Sequence, residues 1–218
     1  MTTPSVPSHE GPARVILIGS SGLIGRAIAR RLRAEPARYE LVGLGRRTQP
    51  PIDLEDRHSI DAALEALAPF DHLVVAAGQA EFAALAELDG SSFALGLRSK
   101  LMGQVDATLA ALPRMRRGGS VILTSGALSH HPTRGSAPAA LVNGAIDAFV
   151  RAIAHELDDD RRINAVSPGW ITDTLIALGR DPAGGVSAAA VAELYVDLLQ
   201  SDAHGTIARA RADAPLGR

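Results

Sequence analysis

Short runs of apolar residues alternate along this chain with longer segments in which apolar residues recur every three to four positions. The short runs are apolar nearly throughout, which predicts strands buried on both faces of a parallel sheet. The predicted strands span 14–19, 39–45, 72–78, 120–126, 162–169 and 205–211, and the predicted helices lie near 22–35, 56–68, 93–117, 136–158 and 187–201. Regular alternation of strands and helices predicts an α/β fold with one doubly wound parallel sheet flanked by helices.

Two of the predicted helices are apolar over a wider arc than packing on a sheet requires. Helix 136–158 has two adjacent apolar rows, formed by Leu141, Ala145, Phe149, Ile153 and Leu157 and by Val142, Ile146 and Val150. Helix 93–117 has the row Leu97, Leu101, Val105, Leu109 and Leu112. Deep packing within one subunit is one explanation. The pattern favours the other, a homodimer or homotetramer in which these helices meet their symmetry mates.

Composition restricts the class of protein. The 218 residues suffice for one α/β domain, and 46% hydrophobic with 21% charged residues is typical of globular proteins. A net charge of −2 gives no reason to expect nucleic acid or a membrane as partner, and no apolar run reaches the ~18 residues of a membrane span. The absence of cysteine fits a reducing cytoplasm. The polar, proline-containing residues 1–13 predict a flexible tail rather than a signal peptide, followed by one domain over 14–218.

A glycine-rich turn follows the first predicted strand. In RVILIGSSGLIGRAIARRL, three glycines lie between this strand and a helix. Glycine allows the backbone to turn tightly and to approach a pyrophosphate, whose charge is met by N–H groups at the helix N-terminus. The pattern predicts the nucleotide site of a Rossmann-type fold, although a tight turn without a ligand would have the same spacing. The site residues would be Gly19, Ser20, Ser21, Gly22, Leu23, Ile24 and Gly25.

The end of the second predicted strand indicates which dinucleotide binds. An acidic residue at this position would bind the ribose 2′-hydroxyl of NAD, whereas GLGRRT has Arg46 and Arg47. Charge-assisted hydrogen bonds are worth about 1.5–3 kcal/mol each, so one arginine could favour NADPH about tenfold. The alternative is a pair of solvated surface arginines. We therefore expect NADP(H) as the cofactor.

Several motifs together resemble the short-chain dehydrogenase/reductase family, and the similarity covers nearly the whole chain after residue 13. The spacing GSSGLIG is similar to that of the family's extended and atypical branches. VAAG resembles the NNAG motif behind the adenine-ribose, PIDLED the segment whose aspartate contacts adenine, and RINAVSPGWITDT the Pro-Gly turn beside the nicotinamide. The cofactor-binding residues that the resemblance adds are Asp53, Leu54, Ala76, Ala77, Gly78, Pro168, Gly169 and Ile171.

The chain departs from the family pattern in its length and in one cofactor contact. Asp53 follows Arg47 by only six positions, and Pro50 and Pro51 lie between them. Proline does not fit inside a helix, so the helix that the family has between its second and third strands is missing. The third strand is expected to be at most a stub around Ile52. Near the nicotinamide, Asp173 stands where the family has a threonine, between Thr172 and Thr174.

The reaction centre departs further. The resemblance implies hydride transfer between nicotinamide and a carbonyl or alcohol, assisted by a serine, a tyrosine, a lysine and an asparagine. Ser125 matches the serine, but Ala139 stands at the tyrosine position and Asn143 at the lysine position. Lys100 stands where the asparagine is expected, so lysine and asparagine are exchanged between two helices. Loss of the tyrosine, a general acid, is expected to lower the reaction rate roughly 10²–10⁴-fold.

Other residues near the expected pocket have weaker signals. His130 and His131 follow Ser125 closely and could move protons, but adjacent histidines before a proline are also typical of a solvated loop. Trp170 could stack on a substrate or cap the core. Residues 172–187, with several glycines, lie where the family has its substrate lid. The histidines have no metal-ligand spacing, so no metal site is expected.

Two functional hypotheses follow. The first is an atypical NADP(H)-dependent oxidoreductase acting on a small carbonyl or alcohol, with Ser125, Lys100 and Asn143 in the reaction centre. It also holds that Lys100 reaches the cofactor pocket, against the alternative that Lys100 is a solvated charge on a helix surface. The second is a catalytically weak NADP(H)-binding sensor or regulatory protein, which the missing tyrosine favours. A purely structural subunit would have little need of the nucleotide-binding motifs.

Overall fold

The computed structural model describes residues 11–157 and 160–210, which form a single parallel sheet with helices on both faces. Its strands are β1 (Ala13–Ile18), β2 (Tyr39–Leu44), β3 (Phe70–Val75), β4 (Met115–Thr124), β5 (Arg162–Ser167) and β6 (Ile207–Arg209). They are ordered β2-β1-β3-β4-β5-β6, which confirms the predicted doubly wound α/β fold. Most of the predicted tail and the end of the last predicted strand lie outside the described residues, and β1 begins at Ala13.

Helices cover the sheet on its two faces. They are α1 (Leu23–Arg33), α2 (Arg57–Leu67), α3 (Ser91–Gly96), α4 (Gly103–Ala111), α5 (Ala137–Ala154), α6 (Thr172–Ala177) and α7 (Ala188–Gln200). Helices α1 and α7 pack together on one face, while α2, α4 and α5 contribute to the core on the other. The strand order reverses around β1, so the carboxyl ends of β1 and β3 border the crevice in which such folds bind ligands.

The two cores explain why the strands are apolar nearly throughout. In β1, Ile16 and Ile18 lie in one core, whereas Val15 and Leu17 lie in the other. All four side chains are buried, as alternation of side chains across a covered sheet requires. Each such side chain stabilises the fold by about 1.5–3 kcal/mol relative to its exposed state. The hydrophobic pattern therefore determined the strands directly.

The predicted helix 93–117 is not one helix, which corrects that prediction. After α3 the chain forms a π-helical segment, Leu97–Met102, before α4 begins at Gly103. Pro113 lies in a 3₁₀ turn that ends the helical stretch, and residues 115–117 already belong to β4. Proline cannot continue an α-helix because it lacks the N–H donor and its ring clashes with the preceding turn. The π-helical segment contains Lys100, and such segments are frequent at functional sites.

Residues 45–56 connect β2 to α2 without a regular element, as the two prolines predicted. The hydroxyl of Thr48 organises this connection, because it accepts from the Gly45 N–H at 3.0 Å and contacts the carbonyls of Gly45 and Pro50 at 2.8 Å. Ile52 is buried but forms no strand, so the expected stub is absent. This compact loop places Arg46 and Arg47 at the carboxyl end of β2.

The segment 172–187, expected to be a loop over the substrate, is partly helical. Helix α6 occupies its first six residues, and its end returns to the sheet side through a bridge between Ile171 and Val186. The Trp170 carbonyl accepts from the Val186 N–H at 2.8 Å. These bonds fix both ends of the segment beside Trp170.

Helix α5 is the one helix of the described chain that is long and apolar enough to cross a membrane by length and composition. A core helix of a soluble protein passes the same test. Here Val142, Ile146 and Val150 are buried, with Ile146 and Val150 in the core, while two polar side chains, Asn143 and Asp147, are buried on the same helix. The polar pair belongs to the site described next.

Candidate active site

The turn after β1 needs its glycines for close packing. Gly19 has φ +87°, and a Cβ atom there would lie 2.5 Å from the Ala76 carbonyl oxygen. A Cβ at Gly25 would lie 2.0 Å from the Gly19 carbonyl oxygen, so α1 contacts the turn backbone directly. Gly22 is the N-cap of α1 and offers no capping side chain, and the first turn of α1 has no acidic residue. The N-terminus of α1 therefore suits an anionic ligand such as a pyrophosphate.

The other expected nucleotide contacts surround this turn. Ser20 and Ser21 are at its surface, while Leu23 and Ile24 pack partly against the core. Ala76 follows β3, and its N–H donates to the Ile18 carbonyl at 2.9 Å, which holds the ends of β1 and β3 together. Ala77 and Gly78 continue this edge. These residues fit a dinucleotide lying across the switch point.

Asp53 and Leu54 lie in the loop before α2. The Asp53 carboxylate accepts from the Glu55 N–H at 3.0 Å and is exposed. Leu54 packs against α4, where Gly103 permits a close approach because a Cβ there would lie 2.7 Å from Leu54 Cβ. Asp53 therefore stabilises the turn before α2 through this hydrogen bond, and its contact with adenine stays a prediction.

Arg46 and Arg47 are exposed at the carboxyl end of β2. Within residues 11–157 and 160–210, neither guanidinium has a hydrogen bond or ion pair with another residue. Their donors are consequently open to a ligand. A 2′-phosphate at this edge of the sheet would meet two positive charges, and residues 45–52 of the loop contain no carboxylate.

The structure brings together the three residues expected in the reaction centre. The Lys100 ammonium donates to Asn143 Oδ1 at 2.7 Å and to the Ser125 carbonyl at 2.9 Å. These contacts join the π-helical segment, α5 and the end of β4, which are far apart in sequence. The alternative in which Lys100 is a solvated surface charge is therefore wrong. Lys100 is also the one lysine among the 22 lysine and arginine residues of the sequence.

Lys100 is held in position by its neighbours. Gly78 has φ +120°, and a Cβ there would lie 2.7 Å from Lys100 Cα, so the loop after β3 lies directly against this residue. The Gln79 N–H donates to Ser99 Oγ at 3.3 Å. Buried Gln104 donates to the carbonyls of Lys100 at 3.1 Å and Thr124 at 3.0 Å and accepts from the Thr124 N–H at 2.8 Å. The ammonium position is thus determined by the backbone on both sides.

Burial changes the proton affinity of this lysine. It lowers the pKa of Lys100 from 10.5 to about 8, because the charged form is removed from water. The negative charge of Asp147, one turn beyond Asn143 on α5, opposes this shift. A side chain with a pKa near 8 is largely protonated at neutral pH and gives up its proton more readily than an ordinary lysine.

Ser125 has a hydroxyl suited to a ligand. Its backbone N–H donates to the Val166 carbonyl at 2.9 Å, whereas its buried Oγ has no hydrogen-bond partner in the described structure. A buried hydroxyl without a partner costs about 1–3 kcal/mol of folding free energy. An oxygen atom of a bound ligand would give Ser125 Oγ the hydrogen-bond partner that it lacks. Gly126 follows, and a Cβ there would lie 2.6 Å from Asn143 Nδ2, so glycine makes room for the Asn143 amide.

No tyrosine can replace the one missing at position 139. Ala139 is buried and lines the cleft. The hydroxyl of Tyr195 lies 2.6 Å from Thr124 Oγ1 in the core, and burial raises the pKa of Tyr195 above its ordinary value. The buried Tyr39 accepts from Gln200 at 3.1 Å at the other end of β2. Both tyrosines are therefore structural.

His130 lines the same cleft and pairs with a buried carboxylate. Its Nε2 lies 3.2 Å from Asp147 Oδ2 and 3.0 Å from Arg209 Nη2. Ser129 also donates to Asp147 Oδ2 at 3.2 Å. The Asp147 side chain is only 2% exposed, and its Oδ1 has no partner in the described structure. His130 is thus exposed at the cleft but tied to α5 through Asp147 and to β6 through Arg209.

These elements surround a cleft of about 990 Å³ at the carboxyl end of the sheet. Pro168, Gly169 and Ile171, which the resemblance implies beside the nicotinamide, follow β5 and line this cleft together with Thr174. Asp173 is exposed and is not among the lining residues, so Thr174 is the better-placed side chain of that turn. Phe82 and Trp170 form an aromatic wall, with ring centroids 5.9 Å apart.

Sequence reasoning missed five residues that the site contains, among them Phe82 of the aromatic wall. Gln104 and Asp147 each lie four positions beyond a residue that it identified, Lys100 and Asn143, and residues at this spacing share a helix face. That spacing was a usable signal. Arg209 comes from β6, and Ser167 has a second buried hydroxyl without a partner in the described structure; no local pattern marks either of them.

Comparisons with known proteins agree with this architecture. A family model described as enoyl-(acyl carrier protein) reductase matches residues 20–196. The chain is 29% identical over 193 residues to the short-chain dehydrogenase/reductase ATR9 of Stachybotrys chlorohalonatus, which covers 75% of each chain. Protein lin1944 of Listeria innocua is 30% identical, with a TM-score of 0.85 over 90% of this chain and 98% of that one. A small-chain dehydrogenase solved in complex with NADPH is 27% identical, with a TM-score of 0.80 over 94% and 100%.

Proposed function

The chain belongs to the short-chain dehydrogenase/reductase family, and on that premise we propose that it is an NADPH-dependent oxidoreductase that reduces a small carbonyl compound or oxidises the corresponding alcohol. The observation that carries this proposal is the contact of Lys100 with Asn143 and Ser125 in the cleft. The residues at the glycine-rich turn and after β2 would hold the cofactor. NADPH, when bound, would supply the hydride.

In the proposed reaction the protein positions the substrate oxygen and delivers a proton to it. The Ser125 hydroxyl, which has no partner in the described structure, donates a hydrogen bond to the carbonyl oxygen. The Lys100 ammonium has three N–H donors, of which Asn143 and the Ser125 carbonyl occupy two. The third donates its proton to the oxygen as the carbonyl carbon accepts the hydride. The products are the alcohol and a neutral lysine, which regains a proton from solvent.

In this proposal Lys100 donates the proton, and Asn143 positions it. Asn143 accepts from the ammonium and so limits its orientation, which is the task of a positioning residue. The His130–Asp147 pair is a second route for a proton, because the imidazole lines the cleft and contacts a buried carboxylate. Lys100 is preferred since its ammonium contacts the backbone of Ser125 itself.

The alternative is a protein that binds NADP(H) and senses or regulates rather than reacts. Ala139 favours it, because methyl cannot donate a proton at the tyrosine position. An assay of hydride transfer from NADPH to a panel of aldehydes and ketones distinguishes the two. The readout is the loss of absorbance of the reduced nicotinamide. Turnover that needs Ser125 supports the enzyme, whereas tight NADPH binding with no turnover on any carbonyl supports the sensor.

Cofactor preference gives a first prediction. We expect the protein to bind NADPH about tenfold or more tightly than NADH, and Arg46→Ala or Arg47→Ala to reduce that preference. Each arginine can form charge-assisted hydrogen bonds with a 2′-phosphate, whereas NADH offers only a hydroxyl. Titration of both cofactors by nicotinamide fluorescence measures the ratio. Arg151→Ala, an exposed arginine on α5, is the control. Equal affinities in the parent protein, or an unchanged ratio in both variants, would refute the NADP(H) assignment.

Oligomeric state gives a second prediction. Leu141 on α5 is 47% exposed and Leu109 on α4 is 42% exposed, so both helices present apolar side chains at the surface. We propose a homodimer or homotetramer that buries them. Phe149, by contrast, packs partly against the core and is a poor probe of an interface. Light scattering should give a multiple of 22.7 kDa for the parent protein and a monomer for Leu141→Glu with Leu109→Glu. A monomeric parent protein at micromolar concentration would contradict the proposal.

The proposal also places the protein in the cytoplasm. Its chain has no cysteine, so nothing in it depends on an oxidising compartment. NADPH-dependent reduction of a small molecule needs no macromolecular partner. We therefore propose a small-molecule substrate and no nucleic acid or membrane as partners.

A further inference from the structure

The charges around the cleft have one sign. Of the described residues that line it, the ionisable ones are Lys100, His130, His131 and Arg209. No aspartate or glutamate is among them. The Asp147 carboxylate, which contacts His130, is buried. Lys100 and Arg209 thus place two positive charges around the cleft, against the one buried negative charge of Asp147.

Arg209 is the cation that the proposed chemistry does not use. It is the last residue of β6 and lines the cleft opposite to α5, where its Nη2 lies 3.0 Å from His130 Nε2. Within the described ranges it has no ion pair with a carboxylate, because the His130 ring lies between it and Asp147. An arginine fork matches the geometry of a carboxylate, to which it can donate two parallel hydrogen bonds.

Arg209 lies too far from the glycine-rich turn to bind the cofactor's pyrophosphate. The turn follows β1, and β6 is four strands away in the order β1-β3-β4-β5-β6. Neighbouring strands are separated by about 4.8 Å, so the two sites are roughly 19 Å apart across the sheet. The nicotinamide side of the cleft follows β5, and Arg209 lies beyond it. The anion that suits Arg209 therefore belongs to the substrate.

The remaining wall of the cleft is apolar and aromatic. Phe82 is half exposed, its ring is tilted by 35° against that of Trp170, and the Arg180 guanidinium lies 5.1 Å from the Trp170 ring centroid. Such a wall favours a flat apolar group. Of these three side chains, Phe82 offers no hydrogen-bonding group, and the indole N–H and the Arg180 guanidinium offer only donors.

We infer that the carbonyl substrate carries a carboxylate, which binds Arg209 while the apolar part of the molecule lies against Trp170 and Phe82. The inference rests on the proposed reductase function for the position of the carbonyl at Ser125 and Lys100. It adds the class of substrate, a ketone or aldehyde with an acidic group at its other end. Asp147 and Arg209 both contact His130 Nε2, so the imidazole positions the guanidinium at the cleft, and the remaining N–H groups of Arg209 can donate to the anion.

Trp170 is the only tryptophan in the chain and lies in the cleft, so its fluorescence reports binding directly. The probes are 2-, 3- and 4-acetylbenzoate and their methyl esters, which differ in charge but keep the ketone and the ring. We expect at least one acid to bind about tenfold more tightly than its ester. Arg209→Gln should reduce that ratio to about twofold or less, and Arg209→Lys should retain part of it. Arg151→Gln, on the outer surface of α5, should leave it unchanged.

Equal binding of every acid and its ester, failure of all three acids to bind, or an unchanged ratio in Arg209→Gln would overturn the inference. The proposed function is tested separately by reduction of the bound ketones with NADPH. Preference for the acids without any reduction would count against the reductase and leave the anion site standing. Reduction of the esters as fast as the acids would retain the reductase and remove the anion site.

Discussion

Replacing Lys100 by methionine is expected to slow hydride transfer from NADPH at least a hundredfold while the protein remains folded. A positioned general acid contributes roughly 10²–10⁴-fold to such a reaction, and methionine has no proton to donate. The ammonium also orients Asn143 and lies at the backbone of Ser125, so its loss removes more than a charge. The measurement is the single-turnover rate at a saturating concentration of NADPH and ketone.

Stability provides the control for this variant. Charging Lys100 in its buried position costs about 3 kcal/mol relative to water, since its pKa falls from 10.5 to about 8. Methionine has a similar length and no charge to desolvate, so the thermal unfolding temperature at pH 7 should not fall substantially. If Lys100→Met reacts as fast as the parent protein, Lys100 has no part in catalysis.

Replacing Ser125 by alanine should reduce the rate of hydride transfer by about 10²–10³-fold, the usual effect of removing one hydrogen bond to an oxygen that gains charge. The same change should stabilise the fold by about 1 kcal/mol, because it removes a buried hydroxyl that has no partner in the described structure. Opposite effects on activity and stability are the signature of a residue retained for function. Rates and urea unfolding, measured on the same preparation, test both.

Ser120 offers a matched comparison for Ser125. Its Oγ is also buried and without a partner among the described residues, but it lies in the middle of β4, five positions before Ser125, and does not line the cleft. Ser120→Ala should therefore keep the parent rate while its effect on stability resembles that of Ser125→Ala. Similar losses of activity in both variants would indicate damage to β4 rather than loss of a hydrogen bond to substrate.

The fold could be predicted from the sequence because its signal is local. Each strand of this sheet is covered on both faces, so runs such as Val15 to Ile18 are apolar without alternation, and they were recognised by that property. The missing helix after β2 was equally local, since Pro50 and Pro51 exclude one. The π-helical segment within 93–117 was not predicted, because no local pattern in the sequence distinguishes it from an α-helix.

The site was predictable only in part, because its contacts join segments that are far apart in the sequence. Motif positions pointed to Ser125, Lys100 and Asn143 separately, but a contact between Lys100 and Asn143 joins residues 43 positions apart and depends on how two helices meet. Arg209 lies on the last strand, 79 positions from the histidine that it contacts. Its role near the cleft follows from the strand order, which a hydrophobic pattern does not determine.

The central claim is that the proton comes from Lys100 rather than from a tyrosine. Its most direct test is the single-turnover rate of hydride transfer to a ketone between pH 6 and pH 10, measured in the parent protein and in Lys100→Met. Only the protonated ammonium can donate, so the parent rate should be constant at low pH and fall tenfold per pH unit above about 8, the pKa of Lys100. The variant should be slow throughout and lack this transition. A parent rate that does not change between pH 7 and pH 9, or one that falls already near the ordinary histidine pKa of about 6.5, would contradict the claim.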